Sequence, residues 1–397
     1  MDSQLWSAVS TVARSRAWYY RLLRIALLSA VGWNGWQALR PLQAEEALDR
    51  AWPKTDFTRT TVDLGEIISG GPPKDGIPAI DRPRFDTIHE ADAWLDPREP
   101  VIVLTWNERA RAYPLQILIY HEIVNDVFEG RPVAVTFCPL CNASLVFDRR
   151  LRGRALDFGT TGKLRKSDLV MYDRQTESWW QQFTGKGIVG HYAGASLSPM
   201  PSQIVSYEEF RRAHPVGEIL SRQTGHVRPY GSNPYRGYDR VGDRPFLFTD
   251  PLDPRLPAME RVLGVTHANR HRLYPFSQLG EHGAVNDRLN DLPLVVLYRR
   301  DTLSVLDASQ IRDSRLIPAA TAFDRRMAGR VLEFRVHNGE FIDIQTGTRW
   351  NQLGQALEGP LKGQQLSPLE AGVHFAFAWL AFRPDSEIYR SKQQGRQ

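Results

Sequence analysis

The sequence predicts a β-rich α+β protein, in which two related antiparallel-β lobes from an internal tandem duplication follow one N-terminal hydrophobic helix. Three observations lead there. Short β-branched and aromatic runs such as "PVIVLTW", "PVAVTF" and "SLVFDRR" are bounded by Pro, Gly and Asn, the pattern of antiparallel strands. A long segment recurs at a fixed offset. A basic, then uncharged, stretch opens the chain.

That opening stretch places Arg14, Arg16, Arg21 and Arg24 before "IALLSAVGWNGWQAL", uncharged from Ile25 to Leu39. Fifteen helical residues reach about 22 Å, short of a hydrocarbon core of roughly 30 Å, and suit an export signal or a membrane anchor. Residues 1–44 are therefore expected to be signal or anchor and linker, and 45–79 an extended lead-in. The remainder is expected on the extracytoplasmic (periplasmic) side, membrane-anchored or secreted. The 397 residues are 42% hydrophobic and 24% charged, so the body is folded, and a net charge of only +5 with no basic stripe among aromatics argues against a nucleic-acid partner.

The repeat begins at Val101, where "VIVLTWNERARAYPLQILIYHEIVNDVFEGRPVAV" aligns without a gap on "VLGVTHANRHRLYPFSQLGEHGAVNDRLNDLPLVV" from Val262. It pairs Tyr113 with Tyr274, His121 with His282, and Asn125 and Asp126 with Asn286 and Asp287. Further on, "DRQTESWW" answers "DIQTGTRW". The expected lobes span 80–220 and 255–392, joined by a Gly/Pro/Tyr-rich connector at 221–254. A helix is expected to close each lobe, "SYEEFRRAH" in the first and "GVHFAFAWLAF" in the second. Asn125 and Asp126 read as a turn or capping device common to both lobes.

Features common to both lobes point to scaffold, and features confined to one point to function. Cys138 and Cys141, the only cysteines, fall in the first lobe; the matching positions hold Arg299 and Thr302. Six extra residues in "GTTGKLRKSDLVMYD" also belong to the first lobe alone. The Cys-x-x-Cys spacing leaves three chemistries open. A disulfide closing so short a loop contributes only about 2 kcal/mol. A thiol oxidoreductase pair normally opens a helix, whereas "CPLCNASLVFD" runs into a strand. Two thiolates can also hold one metal ion, with His121 and Met171 the nearest candidate partners by motif. Cys, Cys, His and Met would suit copper, which is favoured; a carboxylate or water in the shell would suit zinc or iron.

Lys163, Arg165, Ser167 and Asp168 in the basic insertion are candidate ligand-binding residues, although the loop lacks the glycine spacing of a phosphate cradle and reads as solvated. Trp179 and Trp180 offer a stacking wall for a small ligand, or else pack as core. No catalytic serine elbow or paired-acid context appears, which leaves enzymatic activity undecided. The lead expectation is a membrane-tethered metal-binding protein acting in metal handling or redox chemistry. Its alternatives are a non-enzymatic ligand-binding module with a structural disulfide and a thiol oxidoreductase.

The motifs "YHEIVND", "VTFCPLCNASLVFDR", "FGTTGKLRKSDLVMYDRQTESWWQQFTGKGIVG" and "YGSNPYRGY" resemble a bacterial and archaeal family known as domain of unknown function 3179, over most of residues 75–390. The resemblance implies a fold and an exported or membrane-tethered setting but no established activity.

Overall fold

The structure, a computed structural model, describes residues 50–280 and 282–391. The N-terminal hydrophobic run lies outside them, and no helix among the described residues is long and apolar enough to cross a membrane. Strands dominate, at 44% against 10% helix. Lys54 onward forms one unit.

Three larger sheets, chiefly antiparallel, build the first half. Ile123–Phe128, Arg131–Cys138 and Ala143–Asp148 form a meander edged by Ser198–Met200. Valines and alanines face one another across it, as in Val135 opposite Val146, and give the apolar interior its centre. A second sheet runs Ile67–Ser69, Phe158–Arg165, Asp168–Asp173, Trp179–Gln181, Lys186–Val189. The third carries Gln203–Ser206, Pro100–Trp106, Arg109–Pro114, Glu218–Leu220 and Phe85–Thr87, with Glu218–Leu220 parallel to Arg109–Pro114.

The second half repeats several contacts. Tyr113 Oη donates to Asp126 at 2.7 Å and Tyr274 Oη to Asp287 at 2.8 Å. Asn125 clamps the backbone of Phe158 in both directions, at 2.8 and 2.9 Å, and Asn286 does the same to Phe334 at 2.7 and 2.8 Å. Trp180 Nε1 reaches Asp173 and Trp350 Nε1 reaches Asp343, each at 3.0 Å. Asn125 and Asp126 thus stand within the strand Ile123–Phe128 and not in a turn: their side chains reach sideways to neighbouring strands, an arrangement no local turn pattern specifies.

One element expectation holds and two change. "SYEEFRRAH" is a helix, Tyr207–Ala213, capped by Ser206 Oγ accepting from Glu209 N at 3.3 Å. "GVHFAFAWLAF" is divided: Ala371–Phe375 pairs as a strand with Arg261–His267 before the helix Ala376–Phe382 begins. The neighbouring strand supplies pairing that overrides local helical preference. The basic insertion is a hairpin and not a solvated loop, with Phe158–Arg165 and Asp168–Asp173 joined through Lys166 and Ser167. Those two residues have φ of 53° and 64°, the double left-handed conformation of a two-residue hairpin turn. Gly162, at φ 71° in the bulge of this hairpin, lies so close to Pro72 that an added Cβ would sit 1.9 Å from its carbonyl oxygen.

Candidate metal centre and cavity

Cys138 is the last residue of the strand Arg131–Cys138, paired with Ala143 across the turn that contains Cys141. Asn142, at φ 48°, closes the turn by donating its N–H to the Pro139 carbonyl at 3.2 Å. Three residues across so tight a turn bring both sulfurs to one side. The turn is tied from outside: Phe375 N donates to the Cys141 carbonyl at 2.9 Å, and Tyr238 Oη donates to the Leu140 carbonyl at 3.1 Å. The two thiols are free and buried.

The hairpin of the insertion reaches the same point. The corresponding hairpin of the second half, Phe334–His337 with Glu340–Asp343, turns at Asn338 and Gly339. Four further residues in one strand, two of them in the bulge, and two in the other lengthen the first-half hairpin by about 7 Å. That extra length carries Ser167 and Asp168 to the cysteine turn. Cys141 Sγ lies 3.5 Å and Cys138 Sγ 4.0 Å from the Ser167 carbonyl oxygen. One oxygen of Asp168 and the two sulfurs lie within 4.8 Å of one another, all fully buried.

Asp168 is held by one oxygen only. Its Oδ2 accepts from Gln181 Nε2 at 2.6 Å and from Phe183 N at 2.9 Å, while Oδ1 is buried and the thiols of Cys138 and Cys141 are the remaining donors beside the carboxyl. Burial pushes its carboxyl up to about 7, and burial likewise raises both thiols. A buried carboxylate met on one side only by thiols, which are weak donors, is poorly satisfied in an apolar interior.

Glu122 completes the acidic surroundings, and the sequence reading missed it. It follows the short helix Leu115–Leu118 with φ 59°, and its carbonyl accepts from Phe137 N at 2.8 Å, one residue before Cys138. Its carboxyl makes no hydrogen bond or ion pair among the described residues; burial, then the nearby Asp168 charge, push it up to about 8. A left-handed backbone at a non-glycine residue costs about 1–2 kcal/mol, and such strain concentrates at functional positions. A usable signal was present in the repeat, where Gly283 matches Glu122.

Glu122 also lines a cavity of about 270 Å³, walled by Leu140 of the cysteine turn, Leu169 beside Asp168, and Tyr235, Tyr238 and Phe246 of the connector. The connector is fastened over this region by Ser167 Oγ donating to the Phe246 carbonyl and by Lys166 paired with Asp250.

The other candidate residues divide. His121 is not brought to the thiols. Its Nδ1 lies 2.7 Å from the Pro78 carbonyl and must be the protonated nitrogen, so Nε2 accepts from Tyr230 Oη at 2.6 Å. Burial lowers it to about 4, which keeps it neutral and fully engaged. Met171 is a core residue between Thr160 and Trp180. Arg165 pairs with Glu66 at 2.7 Å. Lys163 lines the cavity with its Nζ 5.6 Å from the Trp179 ring centroid. Trp179 and Trp180 are buried and outside the cavity wall, Trp179 packing edge-on to Phe57 at 5.3 Å.

A family model described as protein of unknown function (DUF3179) matches residues 74–386, and the chain belongs to that family. No curated protein and no solved structure matches it.

Proposed function

We propose that Cys138, Cys141 and Asp168 form a metal centre in an extracytoplasmic, membrane-tethered protein, serving metal handling or redox chemistry. The observation that supports this most is an Asp168 carboxylate oxygen lying within 4.8 Å of two buried thiols. Three acidic donors crowded in an apolar interior each lose by burial, and a cation that takes their protons' place satisfies all three together. The carboxylate alters the choice of ion. With His121 engaged elsewhere, two sulfurs and an oxygen suit zinc or iron better than copper, which thioether or imidazole would have favoured. Metal analysis of the purified protein tests the reading. One zinc, iron or copper per chain, lost in a Cys138→Ser, Cys141→Ser variant, is expected; a metal-free wild type that takes up none of the three on titration rejects it.

The lobes fit a tandem duplication, with repeats at 80–220 and 255–392 and a connector at 221–254. The Tyr–Asp, Asn–Phe and Trp–Asp contacts repeated in the two halves support it. On this reading the first copy holds the site and the second supports it.

A dithiol pair is the second reading, favoured by one feature: a buried carboxyl beside Cys-x-x-Cys can take the proton of the resolving thiol. Complete burial of both sulfurs weighs against attack on a protein disulfide. Alkylation of metal-free Cys138 at neutral pH faster than that of a peptide thiol would support this reading over the metal.

A further inference from the structure

We propose that the cavity beside the cysteine turn binds a small, mostly apolar amine whose ammonium group pairs with Glu122. This inference does not rest on the metal centre. The cavity, at about 270 Å³, is the size of about nine waters and lies at the small end for ligand pockets. Its walls are chiefly apolar and aromatic, with Leu169 and Leu140 on one side and Tyr235, Tyr238 and Phe246 on the other. Apolar walls with a few placed polar groups describe a small-molecule site.

The placed group is Glu122, which is 7% exposed. Among the described residues its carboxyl makes no hydrogen bond or ion pair, and the charge that bears on it is that of Asp168, of the same sign. Lys163, the one cation on the cavity wall, is turned toward the Trp179 ring. A buried carboxyl without partner is a net cost to the fold, and here it is held in a left-handed backbone besides. The matching position in the second half is Gly283, so the shared scaffold does not require the acid. An ammonium ligand supplies the countercharge that lets Glu122 release its proton to solvent and the hydrogen-bond donors its carboxylate then accepts, and aromatic faces add a cation–π contribution. A carboxylate ligand would face Glu122 and Asp168 together, which disfavours anions.

Glu122 lies outside the cluster of sulfurs and oxygen that could share one ion, so ligand and metal do not compete for it. The connector that forms the aromatic wall is bonded to the cysteine turn through Tyr238 and Leu140. Occupancy of the cavity is therefore felt one residue from Cys141.

Isothermal titration of the full protein with 2-phenylethylamine, 2-phenylethanol and phenylacetate tests the proposal. The amine should bind one to one and at least about tenfold tighter than the alcohol, with phenylacetate weakest. Glu122→Gln should reduce the amine to the affinity of the alcohol and leave the alcohol unchanged. Leu169→Trp, which fills the cavity, should abolish binding of both. Equal affinity of amine and alcohol for the wild type, or no binding of the amine at millimolar concentration, overturns the proposal without any variant. Unchanged amine affinity in Glu122→Gln overturns it also.

Discussion

The backbone N–H of Phe375 bonds to the carbonyl of Cys141 at 2.9 Å, so a strand from the second half holds the turn that presents the thiols of the first. The Phe375 ring is fully buried and stands edge-on to Tyr238 at 6.0 Å. A support of this kind explains how a half without cysteines contributes to the site.

Phe375→Ala should destabilise the protein by about 3–5 kcal/mol, the range for a buried aromatic truncated to Ala. The same variant should raise the rate at which Cys141 reacts with a thiol reagent under native conditions. Urea denaturation and timed alkylation check the two effects; a destabilised protein with unchanged Cys141 reactivity would mean that the second half does not control the turn.

Asp168→Asn keeps an oxygen for the Gln181 and Phe183 donors but replaces Oδ1 with an NH₂ group, which cannot ligate. Competition against a chelator of known affinity should show zinc binding weakened about a hundredfold or more, about 2.7 kcal/mol. Melting of the metal-free variant should occur no lower than that of metal-free wild type, since a buried acid is removed.

Asp126 and Asp287 separate scaffold from site. Asp126→Ala leaves the fully buried Tyr113 hydroxyl without its acceptor and takes from Arg111 a partner at 2.8 Å, a loss of about 3 kcal/mol. Asp287→Ala should cost less, because Asp287 is 20% exposed. Neither change should alter the metal content of the protein that remains folded, as read by elemental analysis of the native fraction.

Glu99 gives a pH dependence away from the thiols. It is buried, accepts from Gln116 Nε2 at 2.8 Å, and burial pushes it up to about 7. In the unfolded chain it ionises near 4.5, so between that pH and about 7 the folded state keeps a proton that the unfolded state has released. Stability contributed by this group is therefore full below about 4.5 and falls as pH rises, by up to about 3 kcal/mol across the window. Glu99→Gln should flatten that part of the denaturation profile between pH 4.5 and 7; a slope equal to that of wild type would place the proton elsewhere.

How much was legible beforehand depended on the reach of each signal. The strands Pro100–Trp106, Arg131–Cys138 and Ala143–Asp148 follow from local patterning, because side-chain alternation and turn residues act within a few positions. Confinement of Cys138, Cys141 and the insertion to one half was equally plain, since it needs only the chain compared with itself. Local pattern makes Asp168 a ligand-binding residue of a loop, but its place beside the thiols depends on a hairpin two paired positions longer than its counterpart. His121 was matched to the cysteines by motif proximity, yet Pro78 and Tyr230, distant in sequence, claim both of its nitrogens.

Residue identity alone thus determined the β-rich class, the repeated pattern, the family and the thiol pair. Which acid faces those thiols, that Glu122 stands unpaired in an apolar cavity, and that the second half braces the cysteine turn were decided only when strands far apart in sequence came together. The physical reason is that burial and partnership belong to a position in space: the same carboxyl is an ordinary acid in water and an orphan in the core, and no local pattern records which it will be.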